Sequence, residues 1–184
     1  MTGTRDGGLS SGAMEPRFCE WWRWLAAVVI LLSGPVLPSR AQDAQELPRA
    51  LEHQTFDLIN NYRVREGFPK LVWSPAVANI ARLHSRDMAT GAVDFGHEGF
   101  QDRMSELRGF FADMRGGGEN VFYTDAVPGV AQLAVQSWLH SAPHLHNIRG
   151  DYQFSGLGLW RRADGSYFFT QIFVHTAGQA GDVP

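Results

Sequence analysis

Seven histidines, His53, His84, His97, His140, His144, His146 and His175, are the residues best suited to chemistry in a chain with one cysteine. Imidazole titrates near neutral pH and ligates metals through a neutral ring nitrogen. His97 follows the loop Phe95-Gly96, Glu119 follows three glycines, and His144 follows Pro143. Each stands directly after a signal that ends regular structure, where rigid elements present side chains on loops. Two imidazoles and one carboxylate are the ligand types of an open zinc site that leaves a position for water. The same three groups could instead form a buried polar network in which Glu119 orients two histidines and no metal takes part. On the residues alone, both readings stand.

Other motifs carry less. Gly8-Leu9-Ser10-Ser11-Gly12 has the spacing of a nucleophile elbow, but no strand flanks it and it falls in a segment expected to be removed. Gly116-Gly117-Gly118 lacks the Gly-Lys-Ser/Thr ending of a phosphate loop, and Glu119 would repel an anion there. No Glu follows His140 as in H-E-x-x-H, and Pro143 interrupts the helical face that would align His140 with His144.

The elements that must position these groups follow from periodicity and punctuation. Leu51, Leu58, Ile59 and Tyr62 predict a helix over 47–66, stopped by Gly67 and Pro69. Ser74-Pro75 is an N-cap followed by proline at the first helical position, and Val77, Ile80, Ala81, His84 and Met88 share one face up to Gly91. His84 on that apolar face reads as a packed histidine. A short helix is expected around 101–110, a turn at the glycine triplet, a strand over 119–123, and a helix over 129–140 with Val130, Leu133, Ala134 and Trp138 inward. Aromatic and branched runs at 156–160 and 166–174 flank Asp164-Gly165, a hairpin signal. Asn60 and Arg63 are expected on the solvent or loop-facing side of the first helix, bonding neighbouring loops. Trp73, Trp138 and Trp160 fill core volume. Asn120 reads as structural; Gln171 lies in the last strand, its face unassigned.

Residues 1–41 stand apart. The uncharged run 24–32 follows Arg17 and Arg23, is broken by Gly34-Pro35, and ends in Ser39-Arg40-Ala41. It is too short to span a bilayer and has the three parts of a cleavable export signal, with cleavage expected after Ala41. Met14 would start a leader of more usual length than Met1 does. Of 184 residues, 143 then remain, carrying 12 basic and 16 acidic side chains, all seven histidines and no cysteine, since Cys19 leaves with the leader. A net charge of −3 for the whole chain argues against a basic nucleic-acid binder. Without disulfides, a packed core must hold the fold, and a chain of this size buries about two-thirds of its unfolded surface. The expected division is 1–41 extension and leader, 42–49 linker, 50–176 domain, and 177–184 tail.

Read in order, Asn60-Asn61-Tyr62-Arg63, Leu71-Val72-Trp73-Ser74-Pro75, Ala81 through Ala89, Phe95-Gly96-His97, Gly118-Glu119-Asn120-Val121, Trp138 through Ile148, Gly156-Leu157-Gly158 and Tyr167 through Phe173 resemble the bacterial branch of the CAP superfamily. That superfamily, also called the SCP domain, comprises cysteine-rich secretory, antigen 5 and pathogenesis-related 1 proteins. The resemblance covers about residues 50–175 and implies an α+β fold: a three-layer α-β-α sandwich with a central antiparallel sheet and a cleft. In eukaryotic members two histidines and two glutamates line the cleft and can hold a divalent metal such as zinc. His97 matches the first histidine and Glu119 the glutamate of the G-E-N motif. Ser141 stands at the second glutamate's place and Phe168 at the second histidine's, so His144, in the S-x-x-H-x-x-N-I pattern, is the replacement imidazole.

Two functions remain open. The first is a secreted or periplasmic, monomeric binding module whose cleft of His97, Glu119, Ser141 and His144 takes a divalent cation, peptide, lipid or glycan. The second is a metal-assisted hydrolase in which His97 and His144 hold zinc and Glu119 serves as ligand or general base. Fold membership by itself does not make an enzyme.

Overall fold

The computed structural model describes residues 1–3, 40–125 and 127–178, and the side chains of the first helix from residue 47 on. The apolar run of the expected leader, Cys19, Met14 and residues 179–184 of the expected tail lie outside the described residues. Every helix and strand of the described residues falls in the unit from Ser39 onward. In chain order they are α1 (Arg40–Arg65), β1 (Val72–Trp73), α2 (Pro75–Thr90), α3 (Phe100–Leu107), β2 (Met114–Thr124), α4 (Val130–Leu139), α5 (Ala142–Arg149), β3 (Phe154–Arg161) and β4 (Tyr167–Thr176).

Four strands form one sheet in the order β1-β3-β4-β2. The sheet is antiparallel, as expected, except for its two-residue edge strand β1, which runs parallel to β3 through Val72↔Phe154 and Trp73↔Ser155. Alternation along β4 sorts the layers. Tyr167, Phe169 and Phe173 join Leu157 and Leu159 of β3 beneath Phe56, Ile59 and Tyr62 of α1, Val130, Ala134 and Trp138 of α4, and Ile148 of α5. Ile172 and Val174 face the other way with Phe154, against Val77, Ile80 and Ala81 of α2 and Met104 and Leu107 of α3. Helices thus cover both faces. Each fully buried Ile, Leu or Phe contributes about 1.5–3 kcal/mol, so this double core is the main support of a domain without disulfides.

The caps of α2 are those its sequence implies. Ser74 accepts the Val77 N–H, Pro75 opens the helix, and Gly91 ends it at φ 75°. On the sheet beneath, Gly156 and Gly158 of β3 lie directly under α2: a Cβ on either would run into the helix backbone at Val77–Ala78 or Ala81–Arg82. Their absence of side chains sets how closely α2, and with it His84, approaches the sheet.

Elsewhere the structure corrects the sequence reading. The stretch 42–49, expected as a linker, is the start of α1, with Pro48 inside the helix; its Ala, Gln, Glu and Leu residues are strong helix formers that outweigh one proline. The glycine triplet, expected to turn the chain, runs inside β2, and none of its three residues has positive φ. Space, not φ, calls for glycine there, since a Cβ on Gly117 would lie 2.6 Å from the Phe173 carbonyl oxygen. Pro143 does not leave His144 on a loop: it sits in the first turn of α5, where its missing N–H costs nothing. Leu133, expected inward, is exposed, whereas Val130, Ala134 and Trp138 are buried.

Asn60 and Arg63 are buried rather than solvent-facing. Asn60 donates to the Leu71 carbonyl (3.0 Å) and accepts the Leu71 N–H (2.8 Å). Arg63 donates to the carbonyls of Pro69 (2.8 Å), Ile148 (2.7 Å) and Gly150 (2.9 Å). A cation at the C-terminal carbonyls of α5 is favoured by the helix dipole, so Arg63 fixes the helix that carries His144. Trp138 is fully buried, while Trp73 and Trp160 pack at the rims of their clusters.

Both open strand flanks are satisfied by side chains. Glu52 of α1 accepts the Leu159 N–H of β3 at 2.9 Å. On the edge strand β2, the Val121 carbonyl accepts from the Trp138 indole (3.0 Å) and the Glu119 carbonyl from the Asn147 amide (3.0 Å). These bonds deny the edge to another chain.

Candidate functional site

Glu119 is paired with Ile172 across β2 and β4, which turns its side chain to the α2 face of the sheet. There its carboxylate is nearly fully buried and takes three charge-assisted contacts. Arg103 of α3 donates from Nε to Oε2 and from Nη2 to Oε1, both at 2.8 Å. His97 Nδ1 lies 2.9 Å from Oε1. Arg103 also donates through Nη1 to the Glu98 carbonyl at 2.7 Å, tying the loop that bears His97 to the same guanidinium. A bidentate guanidinium–carboxylate pair is geometrically specific, and here it fixes the carboxylate in one orientation.

That orientation decides which ring nitrogen of His97 is engaged. An ionised carboxylate only accepts, so Nδ1 carries a proton, and in the singly protonated ring the lone pair lies on Nε2. The His97 side chain is 51% exposed, while its Nδ1 is held by Glu119.

His84 stands behind this pair. Its Nε2 lies 2.9 Å from the Gly96 carbonyl, to which it must donate, and 3.9 Å from Glu119 Oε1. Burial lowers the His84 pKa below its ordinary value, with Arg103 adding to the effect and the Gly96 bond and Glu119 opposing it. The neutral ring anchors the residue before His97, in keeping with the packed role expected of it.

His144 approaches from the other side of the β2 edge. Its backbone carbonyl accepts from the Asn120 amide at 3.2 Å, and Asn147 donates to Asn120 Oδ1 at 2.9 Å. Its Nδ1 is buried and has no hydrogen-bond partner. Burial first, and the charge of His97 second, lower the His144 pKa.

Ser141 is the N-cap residue of α5, yet its side chain makes no capping bond. Gln171 is fully buried on the sheet face opposite Glu119, donating to Ser155 Oγ at 3.2 Å, with Oε1 unpaired. It belongs to the scaffold rather than to the His97 site. Of the remaining histidines, His53 stacks on Trp73 and His140 Nδ1 meets the Gln136 carbonyl, neither at the site.

A groove of about 610 Å³ between α2 and α3 adjoins the back of the cluster. His84 and Arg103 form part of its wall, with Asp87, Glu98, Asp102 and Glu106, whereas His97, Glu119 and His144 do not line it.

A divalent metal does not fit this arrangement. Both Glu119 oxygens are engaged by Arg103, and a dication bound there would face a buried guanidinium at contact distance. Among the described residues no group of three or more His, Cys, Asp or Glu is placed to hold a metal ion. Arg103, which fixes the Glu119 carboxylate, is marked by no sequence motif, whereas Asn147 is the Asn of the S-x-x-H-x-x-N-I pattern.

With this geometry in place, the comparisons with known proteins fall into line. The family model of the cysteine-rich secretory proteins (CAP) matches residues 56–173. The chain belongs to this CAP family. Over 128 residues it is 34% identical to a protein of Bacillus subtilis named an uncharacterised membrane protein, YlbC, matching 67% of this chain and 34% of that one. An extracellular SCP-domain protein of Bacillus anthracis is 29% identical with a TM-score of 0.60, over 78% of this chain and 45% of that one. An outer surface protein of Borrelia burgdorferi shares the fold at 14% identity and a TM-score of 0.57, over 69% of this chain and 93% of that one. The chain thus spans about a third of its curated relative. Among the described residues no helix is long and apolar enough to cross a membrane.

Proposed function

We propose that this chain is an exported CAP-domain binding module whose cleft, formed by His97, Glu119, Ser141 and His144, holds a peptide, lipid or glycan without turnover. Export is supported by the leader-like residues 1–41 and by the extracellular and surface proteins among its structural neighbours. The observation that carries the reading is the Nδ1 contact of His97 with Glu119, which leaves Nε2 as the acceptor of a half-exposed side chain. Hydroxyl and amide donors are the partners such a nitrogen selects. His144, on the helix that Asn120 and Asn147 join to β2, is the second imidazole of this reading. A metal-assisted hydrolase finds less support, because Glu119 is already neutralised by Arg103 and is not free to act as ligand or general base.

Titration of the purified chain with lipid vesicles, soluble oligosaccharides and a peptide mixture, followed by the NMR signals of the imidazole rings, tests this reading. One probe class is expected to move the His97 and His144 signals, and His97→Ala to abolish its binding. Binding indifferent to both His97→Ala and His144→Ala would overturn the site. Peptide or ester turnover that a chelator stops and zinc restores would replace it with the hydrolase.

A further inference from the structure

The carboxylate on which a metal reading of this cleft depends already has a cation. Arg103 presents its planar fork to both oxygens of Glu119 at 2.8 Å, with the arginine side chain 12% and the glutamate side chain 2% exposed. A guanidinium stays charged throughout the working pH range and is less strongly hydrated than an ammonium, so it tolerates this burial better than lysine would. Its third nitrogen is held by the Glu98 carbonyl, which leaves the head group anchored on both sides. An incoming dication would have to displace the guanidinium and leave it buried beside a second positive charge, an unfavourable exchange for charges withdrawn from water.

We infer that Arg103 is the built-in cation of the cleft: it occupies the carboxylate that a divalent metal would need, so the His97–Glu119 pair works without metal, and loss of the guanidinium opens a latent metal site. Without Arg103, both oxygens of Glu119 become available, with His97 Nδ1 2.9 Å from Oε1. A carboxylate and an imidazole are donor types suited to zinc or cobalt, and the buried negative charge left behind favours any cation that can reach it. This inference rests on the reading of His97 and Glu119 as the working pair of the cleft and adds what keeps that pair free of metal.

The test is metal binding, not ligand binding. Zinc is titrated calorimetrically, and cobalt by its visible absorption, into the purified wild-type chain, Arg103→Lys, Arg103→Gln, His97→Ala and the double variant Arg103→Gln/His97→Ala, with circular dichroism to establish folding. The wild type and Arg103→Lys are expected to show no zinc binding that depends on His97. Arg103→Gln is expected to bind zinc at least about tenfold more tightly, and His97→Ala added to it to remove the gain. Zinc binding by the wild type that His97→Ala abolishes would overturn the inference, and so would a folded Arg103→Gln with no gain. If Arg103→Gln does not fold, the comparison of wild type with His97→Ala decides. Failure of every ligand probe alongside the expected metal results would remove the binding function and leave the role of Arg103 standing.

Discussion

Asn147 of α5 donates to the side-chain oxygen of Asn120 on β2 at 2.9 Å, and through the same amide nitrogen to the Glu119 carbonyl at 3.0 Å. Asn120 in turn donates to the His144 carbonyl at 3.2 Å. This short chain of amides joins the strand that carries Glu119 to the helix that carries His144, so strand and helix keep a fixed spacing. Asn147→Ala leaves the Glu119 carbonyl and Asn120 Oδ1 without a donor. An orphaned buried acceptor costs about 1–3 kcal/mol, and about 2 kcal/mol of stability is the expected loss. Urea denaturation measures it, and a loss below about 0.5 kcal/mol would mean that water fills the place of the amide.

A second buried ion pair supports the opposite edge of the sheet. Arg82 Nε and Nη2 meet Glu52 at 2.8 and 2.7 Å, and Glu52 also accepts the Leu159 N–H. The partners are unequal, since the Glu52 side chain is 1% exposed and that of Arg82 22%. Arg82→Ala strands a buried carboxylate and is expected to cost about 3 kcal/mol or more. Glu52→Gln keeps an acceptor for Leu159 and leaves a cation that can reach water, so about 1–2 kcal/mol is expected. Chemical denaturation of both variants checks the order; the reverse order would mean that the carboxylate finds solvent after Arg82 is lost.

The parts legible in the sequence are those governed by neighbours along the chain. Ser74, Pro75 and Gly91 delimit α2 because capping acts within four residues, and Asp164-Gly165 marks the β3–β4 hairpin for the same reason. His97 and Glu119 could be singled out by their motifs, and they do meet. What sequence could not supply was set by register. Arg103 reaches Glu119 only because α3 lies across the face to which β2 turns that residue, and no local pattern encodes a bond over 16 positions. The glycine triplet misled for a related reason, since its requirement comes from Phe173 and Met104, both distant in sequence. Asn60 and Arg63 lie buried rather than toward solvent, because polar residues are buried where carbonyls from other elements await them.

Stability is expected to fall with acidification below the ordinary histidine value of 6.5. Burial lowers the pKa of both His84 and His144. Below 6.5 the unfolded chain takes up protons that the folded chain refuses, so the slope of stability with pH is positive there. Above 6.5 both states hold neutral rings, and these residues impose no slope. His84 faces the Gly96 carbonyl, Glu119 and Asp87, which favour its charge, and Arg103, which opposes it together with burial. His144 faces His97. Thermal midpoints measured from pH 7.5 down to 5 in the wild type and His84→Gln test this, the glutamine amide being able to donate to Gly96. The variant should lose less on acidification; an equal loss would place the proton uptake elsewhere.

Adjacent glycines of β2 offer the sharpest contrast between conformational and steric demand. Gly116 has nothing within 4 Å of the place a Cβ would take, whereas at Gly117 that place lies 2.6 Å from the Phe173 carbonyl oxygen and 2.7 Å from the Met104 sulfur. Neither residue has a positive φ, so backbone conformation alone would admit alanine at both. Alanine at 116 removes unfolded-state freedom without a clash and is expected to be neutral or to stabilise by about 0.5 kcal/mol. Alanine at 117 pushes against the neighbouring strand, whose carbonyl cannot move without opening the β2–β4 ladder, and about 1–3 kcal/mol of destabilisation is expected. Because Glu119 lies two residues further along the same face, that displacement should also disturb its contact with Arg103. Paired melts of Gly116→Ala and Gly117→Ala, with the His97 imidazole signal followed in each, separate the effects. Equal stability of the two variants would show that Met104 and the strand yield together, and that the triplet is not required for close packing.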